Sequence, residues 1–320
     1  MKSQKGRGLA GLCFIVCILF LTMLTGCSKK KSETLKFAIF IANNTNEFTM
    51  SVGNGAVKRG KELGIEVTLF DAKYDQGVQI AQIETCITQG YDALIIEPCS
   101  VDGAIPAIKE ANSAKIPVVT IIQEIADQNL AVAFVGADHN AAAKVQMQAC
   151  IDAIGQTGNI GLVNGVMGST GQIIISDGYY EILAKYPGVT VLEEQSGNWV
   201  IEEALKVTET WLQKHNNFDA ILGQSDALAL GALKACEDAG IKGIYISGRD
   251  SVSDALYAIK EGRMNATIWQ NGPVIGSSAV DVAQKAFKGE GVDKYYMMEN
   301  IVVNLNNVDY YLNLKAELSK

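Results

Sequence analysis

Apolar runs of about five residues alternate with longer amphipathic stretches along most of this chain. Lys36–Ile41 (KFAIFI), Glu66–Phe70 (EVTLF), Ala93–Ile96 (ALII) and Val118–Ile122 (VVTII) have strand character, and the segments between them repeat apolar positions at helical spacing. Val132–Val135, Ile160–Val163, Val189–Leu192, Ala220–Leu222 and Ile244–Ile246 continue the alternation. A βαβα order predicts parallel sheets covered by helices on both faces. About ten strands before residue 250 are more than one compact sheet usually holds. The pattern therefore predicts an α/β fold of two doubly wound parallel-sheet lobes. No low-complexity linker divides the chain, so short crossings join the lobes and form a hinge.

The first residues follow a different pattern. Lys2, Lys5 and Arg7 precede an apolar stretch from Leu9 to Leu24, which ends in Leu24-Thr25-Gly26-Cys27. A basic start, an apolar middle and small residues before a cut site are the parts of an export signal. The terminal tetrapeptide resembles the lipobox of bacterial lipoproteins, which implies lipidation of Cys27 and a polar tether from Ser28 to Thr34. The expected location is the outer face of the cytoplasmic membrane, or the periplasmic side in a Gram-negative envelope.

Cleavage before Cys27 leaves 24 basic against 35 acidic residues, a net charge of −11. That balance argues against a nucleic-acid partner, which requires clustered positive charge. Cys86, Cys99, Cys150 and Cys236 are widely spaced and form no CxxC pair, so zinc and redox roles are not indicated; free, half-buried thiols are expected.

Parallel sheets place ligands at the carboxyl ends of their strands, and polar residues collect there. Asn43, Asn44, Asn46, Glu47 and Phe48 follow the first strand, Gln123 and Glu124 the fourth; Ser225 and Asp226 follow AILGQ, Arg249 and Asp250 follow IYISG, and Gln270 and Asn271 follow ATIW. Amides and carboxylates offer paired donors and acceptors to neighbouring hydroxyl groups, and Phe48, Trp199 and Trp269 offer flat apolar faces. Ser251-Val252-Ser253-Asp254 reads as a capping box, which leaves Asp250 at the mouth of the strand. Asn43 and Asn44 read as plain loop.

Catalytic machinery is not visible. Gly223-Gln224-Ser225-Asp226-Ala227 imitates a nucleophile elbow without its last glycine, and both histidines, His139 and His215, precede Ser225, contrary to the order that fold requires. Residues 165–171 (GVMGSTG) lack the lysine of a phosphate loop. Two histidines without HExxH do not suggest a zinc enzyme, and both are expected at the surface. A non-enzymatic chain without cofactor or metal is the reading.

The stretches KFAIFIANNTNEF, IPVVTI, GQSDALALGALKA, GRDSVSDALYAIKEGRMNATIWQ and FKGEGV resemble the sugar-binding, ribose-binding-protein-like branch of the type I periplasmic solute-binding proteins, from about Phe37 to Val303. The resemblance implies two lobes joined by three crossings, with a signal over 1–26, Cys27 and a tether over 27–34, an N-terminal lobe of 35–137 plus 271–298 and a C-terminal lobe of 138–270 plus 299–320. It implies a monomer that binds a monosaccharide or polyol and docks on an ABC-transporter permease. A ligand sensor reporting to a membrane kinase or chemoreceptor is the alternative.

Carried over by position, Asn46 and Phe48 match an asparagine and an aromatic ring of the first-strand loop, Asp250 an aspartate that binds sugar hydroxyls, Gln270 a glutamine of the second crossing, and Trp199 a stacking phenylalanine. Departures are equally informative. The Asp–Arg pair expected after IPVVT is Ile122-Gln123, or Gln123-Glu124 with a one-residue gap, and Ile173, Ile174 and Ile175 occupy the run where a second arginine is expected. Thr49 stands for a second aromatic, Ser225 for an asparagine and Arg249 for an aromatic. The implied ligand set is Asn46, Phe48, Thr49, Gln123, Glu124, Trp199, Ser225, Arg249, Asp250 and Gln270. Arg249 is either a replacement clamp or an outward, solvated charge.

Overall fold

The structure, a computed structural model, describes residues 34–318. The export signal and Cys27 lie outside the described residues. Strands β1 (Lys36–Ile41), β2 (Glu66–Asp71), β3 (Ala93–Ile96), β4 (Val118–Ile121) and β5 (Ala133–Ala137) join β11 (Tyr295–Met298) in a six-stranded, fully parallel sheet of order β11-β5-β4-β3-β1-β2. Strands β6 (Gly158–Asn164), β7 (Val189–Ser196), β8 (Ala220–Gly223), β9 (Tyr245–Arg249), β10 (Ala266–Trp269) and β12 (Ile301–Asn304) form a second sheet of order β12-β10-β9-β8-β6-β7, parallel except for β12. Among the described residues nine strands precede residue 250, one for each of the nine apolar runs named above, while β11 and β12 were not among those runs.

Side-chain alternation explains how each sheet holds helices on both faces. In β1, Phe37, Ile39 and Ile41 pack toward Val52 and Ala56 of α1 (Glu47–Leu63) and Ile275 and Ala279 of α9 (Gly272–Phe287). Ala38 and Phe40 point the other way, to Ile83 of α2 (Gln76–Thr88) and Ile108 of α3 (Ile105–Ser113). The second sheet repeats the scheme. Ile160 and Leu162 face α4 (His139–Ala153) and α5 (Thr170–Leu183), while Val163 and Ile221 face α6 (Ile201–Lys214), α7 (Asp226–Asp238) and α8 (Ser253–Lys260). The last helix, α10 (Val308–Leu318), adds Tyr311 to that second core.

The chain passes between the sheets three times: after β5, after β10 and between β11 and β12. Asn300 in the last passage donates to the Asp138 carbonyl in the first at 3.2 Å, tying the crossings together. After the second passage, α9 returns to pack on α1. That contact requires glycine: a Cβ on Gly276 would lie 2.0 Å from the Val52 carbonyl, and one on Gly55 would lie 2.4 Å from the Pro273 carbonyl.

Candidate ligand-binding cleft

The carboxyl ends of the parallel strands of both sheets meet around one cavity of about 570 Å³, within the usual size of a small-molecule site. Four non-glycine residues on its walls take left-handed backbone angles or lie at their edge: Tyr74 (φ 57°), Ile122 (φ 64°), Trp199 (φ 63°) and Asp250 (φ 108°), which is followed by a left-handed Ser251 (φ 55°). Each such residue stores roughly 1–3 kcal/mol of strain, a feature concentrated at functional sites.

Arg249 is the last residue of β9 and is fully buried. Its Nη2 donates to Nδ1 of His139 at 3.0 Å, while Nε and Nη1 have no partner in the protein. His139 in turn donates from Nε2 to the Ile122 carbonyl at 2.7 Å. Accepting at Nδ1 and donating at Nε2 describes a neutral imidazole, and burial together with the Arg249 charge pushes His139 down to about 4. The surface position expected for His139 is thus corrected: it forms part of the cleft wall and orients the guanidinium. His215 lies far from it in sequence and bonds Glu193 at 3.0 Å. Of the two positions open to Arg249, the structure adopts the inward one.

Asp250 follows on the same wall. Gln270 Nε2 donates to its Oδ1 at 3.2 Å, leaving Gln270 Oε1 buried without a partner. Burial raises the Asp250 carboxyl to about 7, against the pull of Arg249 and Lys315. Asp226 is also buried; burial and the Asp250 charge raise it, while Thr267 Oγ1 (2.7 Å) and the Val252 N–H (2.9 Å) donate to it. The charges of both carboxyls act on the buried guanidinium of Arg249.

The remaining predicted positions divide by role. Asn46 caps α1: its Oδ1 accepts from the Thr49 N–H at 2.9 Å and from Thr49 Oγ1 at 3.1 Å. Ser225 caps α7, accepting from the Leu228 N–H at 3.3 Å. Both caps still line the cleft, with Phe48, Thr49 and Gln123, whose Oε1 is buried without a partner. Trp199 lines it too, and the indole lies so close to the backbone that a Cβ on Gly165 would fall 1.9 Å from Cζ2. Glu124 is the exception. It is exposed, accepts from the Tyr295 hydroxyl at 3.1 Å and stands outside the cavity, because the turn at Ile122 directs Gln123 inward and its neighbour outward.

The capping box at Ser251 is also corrected. Helix α8 begins at Ser253, with Val252 at the N-cap and no side-chain cap of its own. Ser251 is left-handed, whereas an N-cap residue needs extended angles, and its hydroxyl donates to the Ile268 carbonyl at 3.2 Å. Glu47, at the start of α1 in the first lobe, supplies the missing acceptor instead. Its carboxylate accepts from the Ser253 N–H at 3.0 Å and hydroxyl at 2.8 Å, and pairs with Lys315 at 2.7 Å.

Sequence reasoning missed Tyr74, Glu97, Cys99, His139 and Gln224 on the cleft wall. Glu97 and Gln224 each follow the carboxyl end of a buried strand, so the rule that selected the other residues applied to them. Among the described residues, no cluster of His, Cys, Asp and Glu is arranged to hold a metal ion, and all four cysteines are free thiols.

A sequence profile described as a periplasmic binding protein domain matches residues 37–291. The chain is 32% identical over 293 residues to the xylitol-binding protein of Mycolicibacterium smegmatis, covering 89% of this chain and 83% of that one. It is 30% identical over 293 residues to a ribose import binding protein of Bacillus subtilis, covering 88% and 94%. An ABC transporter solute binding protein from Bacillus halodurans, solved with bound myo-inositol, matches at a TM-score of 0.83 and 28% identity, over 87% of this chain and 97% of that one. The chain therefore belongs to the type I periplasmic binding proteins, a non-enzymatic solute-binding family, and within it to the ribose-binding-protein-like branch.

Proposed function

We propose that this chain is the extracytoplasmic substrate-binding lipoprotein of an ABC importer, and that it closes two lobes around a monosaccharide or polyol. The lobes are 35–137 plus 271–298 and 138–270 plus 299–320, and the three crossings are the hinge. Cys27 carries the lipid that holds the protein at the membrane, since more than one acyl chain gives stable anchoring. Closure follows from tighter binding of ligand to the closed state than to the open one.

The single observation that carries the reading is the buried Arg249, with two guanidinium nitrogens unpartnered on a cleft wall shared with Asp250 and Gln270. Buried donors without partners are costly, and vicinal hydroxyl groups satisfy donors and acceptors in the same plane. Phe48 and Trp199 cover the C–H faces of such a ligand. The relatives that bind xylitol, ribose and myo-inositol support the same class. A thermal-shift screen of sugars, pentitols and inositols tests it. At a hundredfold excess over Kd a true ligand stabilises the protein by about 2.7 kcal/mol, and no response to any member contradicts the reading.

A further inference from the structure

Glu97 stands directly after β3 and is 5% exposed, yet it lines the cleft. Its position is fixed from two sides. Gln79, itself fully buried, donates from Nε2 to the Glu97 carbonyl at 2.8 Å and accepts the Cys99 N–H at 3.1 Å. The Ala42 N–H donates to Glu97 Oε2 at 2.9 Å. Oε1 receives no hydrogen bond from the protein.

The electrostatic surroundings of this carboxyl are one-sided. The groups that face it are Asp71 at the end of β2, Tyr74 in the following turn and Cys99 in its own loop, with Asp75 beyond Cys99. None is a cation. Among the described residues lining the cleft, Arg249 is the only lysine or arginine, and its charge acts on Asp250. Burial, with Asp71 adding to it, lifts Glu97 to about 7. A glutamine would satisfy Ala42 equally well, so the backbone contact does not explain a carboxylate here.

An aromatic residue, Tyr74, stands beside Glu97 on the same wall. Lys73 and Tyr74 are consecutive left-handed residues (φ 54° and 57°), and the Tyr74 N–H donates to the Ala42 carbonyl at 2.6 Å, which fixes the turn beside Glu97. Tyr74 lines the same cavity; burial, and then the charges of Glu97 and Asp250, raise its hydroxyl, which is hydrogen-bonded to Asn43. A carboxylate oxygen without a partner next to an aromatic ring is the chemistry that recognises an ammonium group.

We propose that Glu97 and Tyr74 form a subsite for a protonated amine, so that the preferred ligand is an amine-bearing sugar or polyol. The inference rests on the polyol reading above and refines it. Arg249 and Asp250 hold hydroxyl groups on one wall, and Glu97 receives the amine on the other.

Isothermal titration of matched pairs decides it: a pentitol, a hexose and an inositol, each against its aminodeoxy counterpart, at pH 7.5. The expected result is at least tenfold tighter binding of the amine in one pair or more. Glu97→Gln, which keeps an oxygen for the Ala42 N–H, should abolish that preference while retaining the hydroxyl compound, and Tyr74→Leu should reduce it. Equal binding within every pair, or a preference that survives Glu97→Gln, overturns the subsite and leaves the polyol reading intact. Binding of neither member of any pair overturns both.

Discussion

Glu47 and Ser253 belong to different lobes, yet the Glu47 carboxylate accepts both the Ser253 N–H, at 3.0 Å, and its hydroxyl, at 2.8 Å. One lobe thus caps a helix of the other. The contact ties together α1 and α8, which are carried by separate sheets. Glu47→Ala is expected to expand the ligand-free protein in small-angle X-ray scattering and to lower its unfolding free energy by about 1 kcal/mol, the usual worth of an N-cap. An unchanged radius of gyration would show that the clasp does not bias closure. Burial raises the Glu47 carboxyl, but Lys315 and Ser253 outweigh it and bring it below its ordinary value. Its contribution is therefore present above the unfolded pKa and lost as pH falls through the folded one.

Trp199 is the tryptophan on the cleft wall, while Trp211 and Trp269 belong to the core. Ligand should change tryptophan emission, and Trp199→Phe should remove most of the change. Gly165→Ala places a methyl group inside the indole's space, so it should displace the ring and weaken binding more than tenfold. Wild-type affinity in Gly165→Ala would mean that the indole does not touch ligand.

Most of the fold was legible because buried parallel strands are written as short apolar runs. The cleft was legible wherever a polar residue followed such a run, as with Gln123, Arg249 and Gln270. Glu97 follows the rule but sits in Glu-Pro, which reads as solvated loop; only the buried Gln79 amide and the Ala42 N–H turn it inward. The capping box failed at Ser251 because Ser251 and Asp254 fit the motif by spacing alone, while the sharp turn at Asp250 and Ser251 moved the N-cap by one residue, to Val252. No local pattern could have announced Glu47 as its cap, since that contact spans 206 positions.

The pH dependence of stability should expose Glu97. Its folded pKa, about 7, lies above the ordinary 4.5, so its favourable contribution is complete below about 4.5 and declines as pH rises through 7. Relative to Glu97→Gln, the ligand-free wild type should lose up to about 3 kcal/mol between pH 4.5 and 8.5. His139, depressed to about 4, acts in the opposite sense below pH 6.5 in both proteins and cancels in the comparison. Denaturant titrations that run parallel across this range would contradict the buried, cation-free setting of Glu97.

Anchoring rests on Leu24-Thr25-Gly26-Cys27. Cys27→Ser should block lipidation and processing at that site. Mass spectrometry of the mature N-terminus should find an acylated Cys27; an unmodified cysteine there, or another cleavage point, refutes the lipoprotein form.

The central claim is that Arg249 and Asp250 hold the ligand. Titration calorimetry with a polyol identified by thermal shift, on wild type, Asp250→Ala, Arg249→Ala and Arg249→Lys, measures it directly. Each loss leaves ligand hydroxyls or protein groups buried without partners, at about 1–3 kcal/mol for each, so both alanine variants should bind at least tenfold more weakly with a native circular-dichroism spectrum. Arg249→Lys should not restore affinity, because an ammonium lacks the planar fork. Wild-type affinity in Asp250→Ala and Arg249→Ala would place the ligand elsewhere and contradict the account.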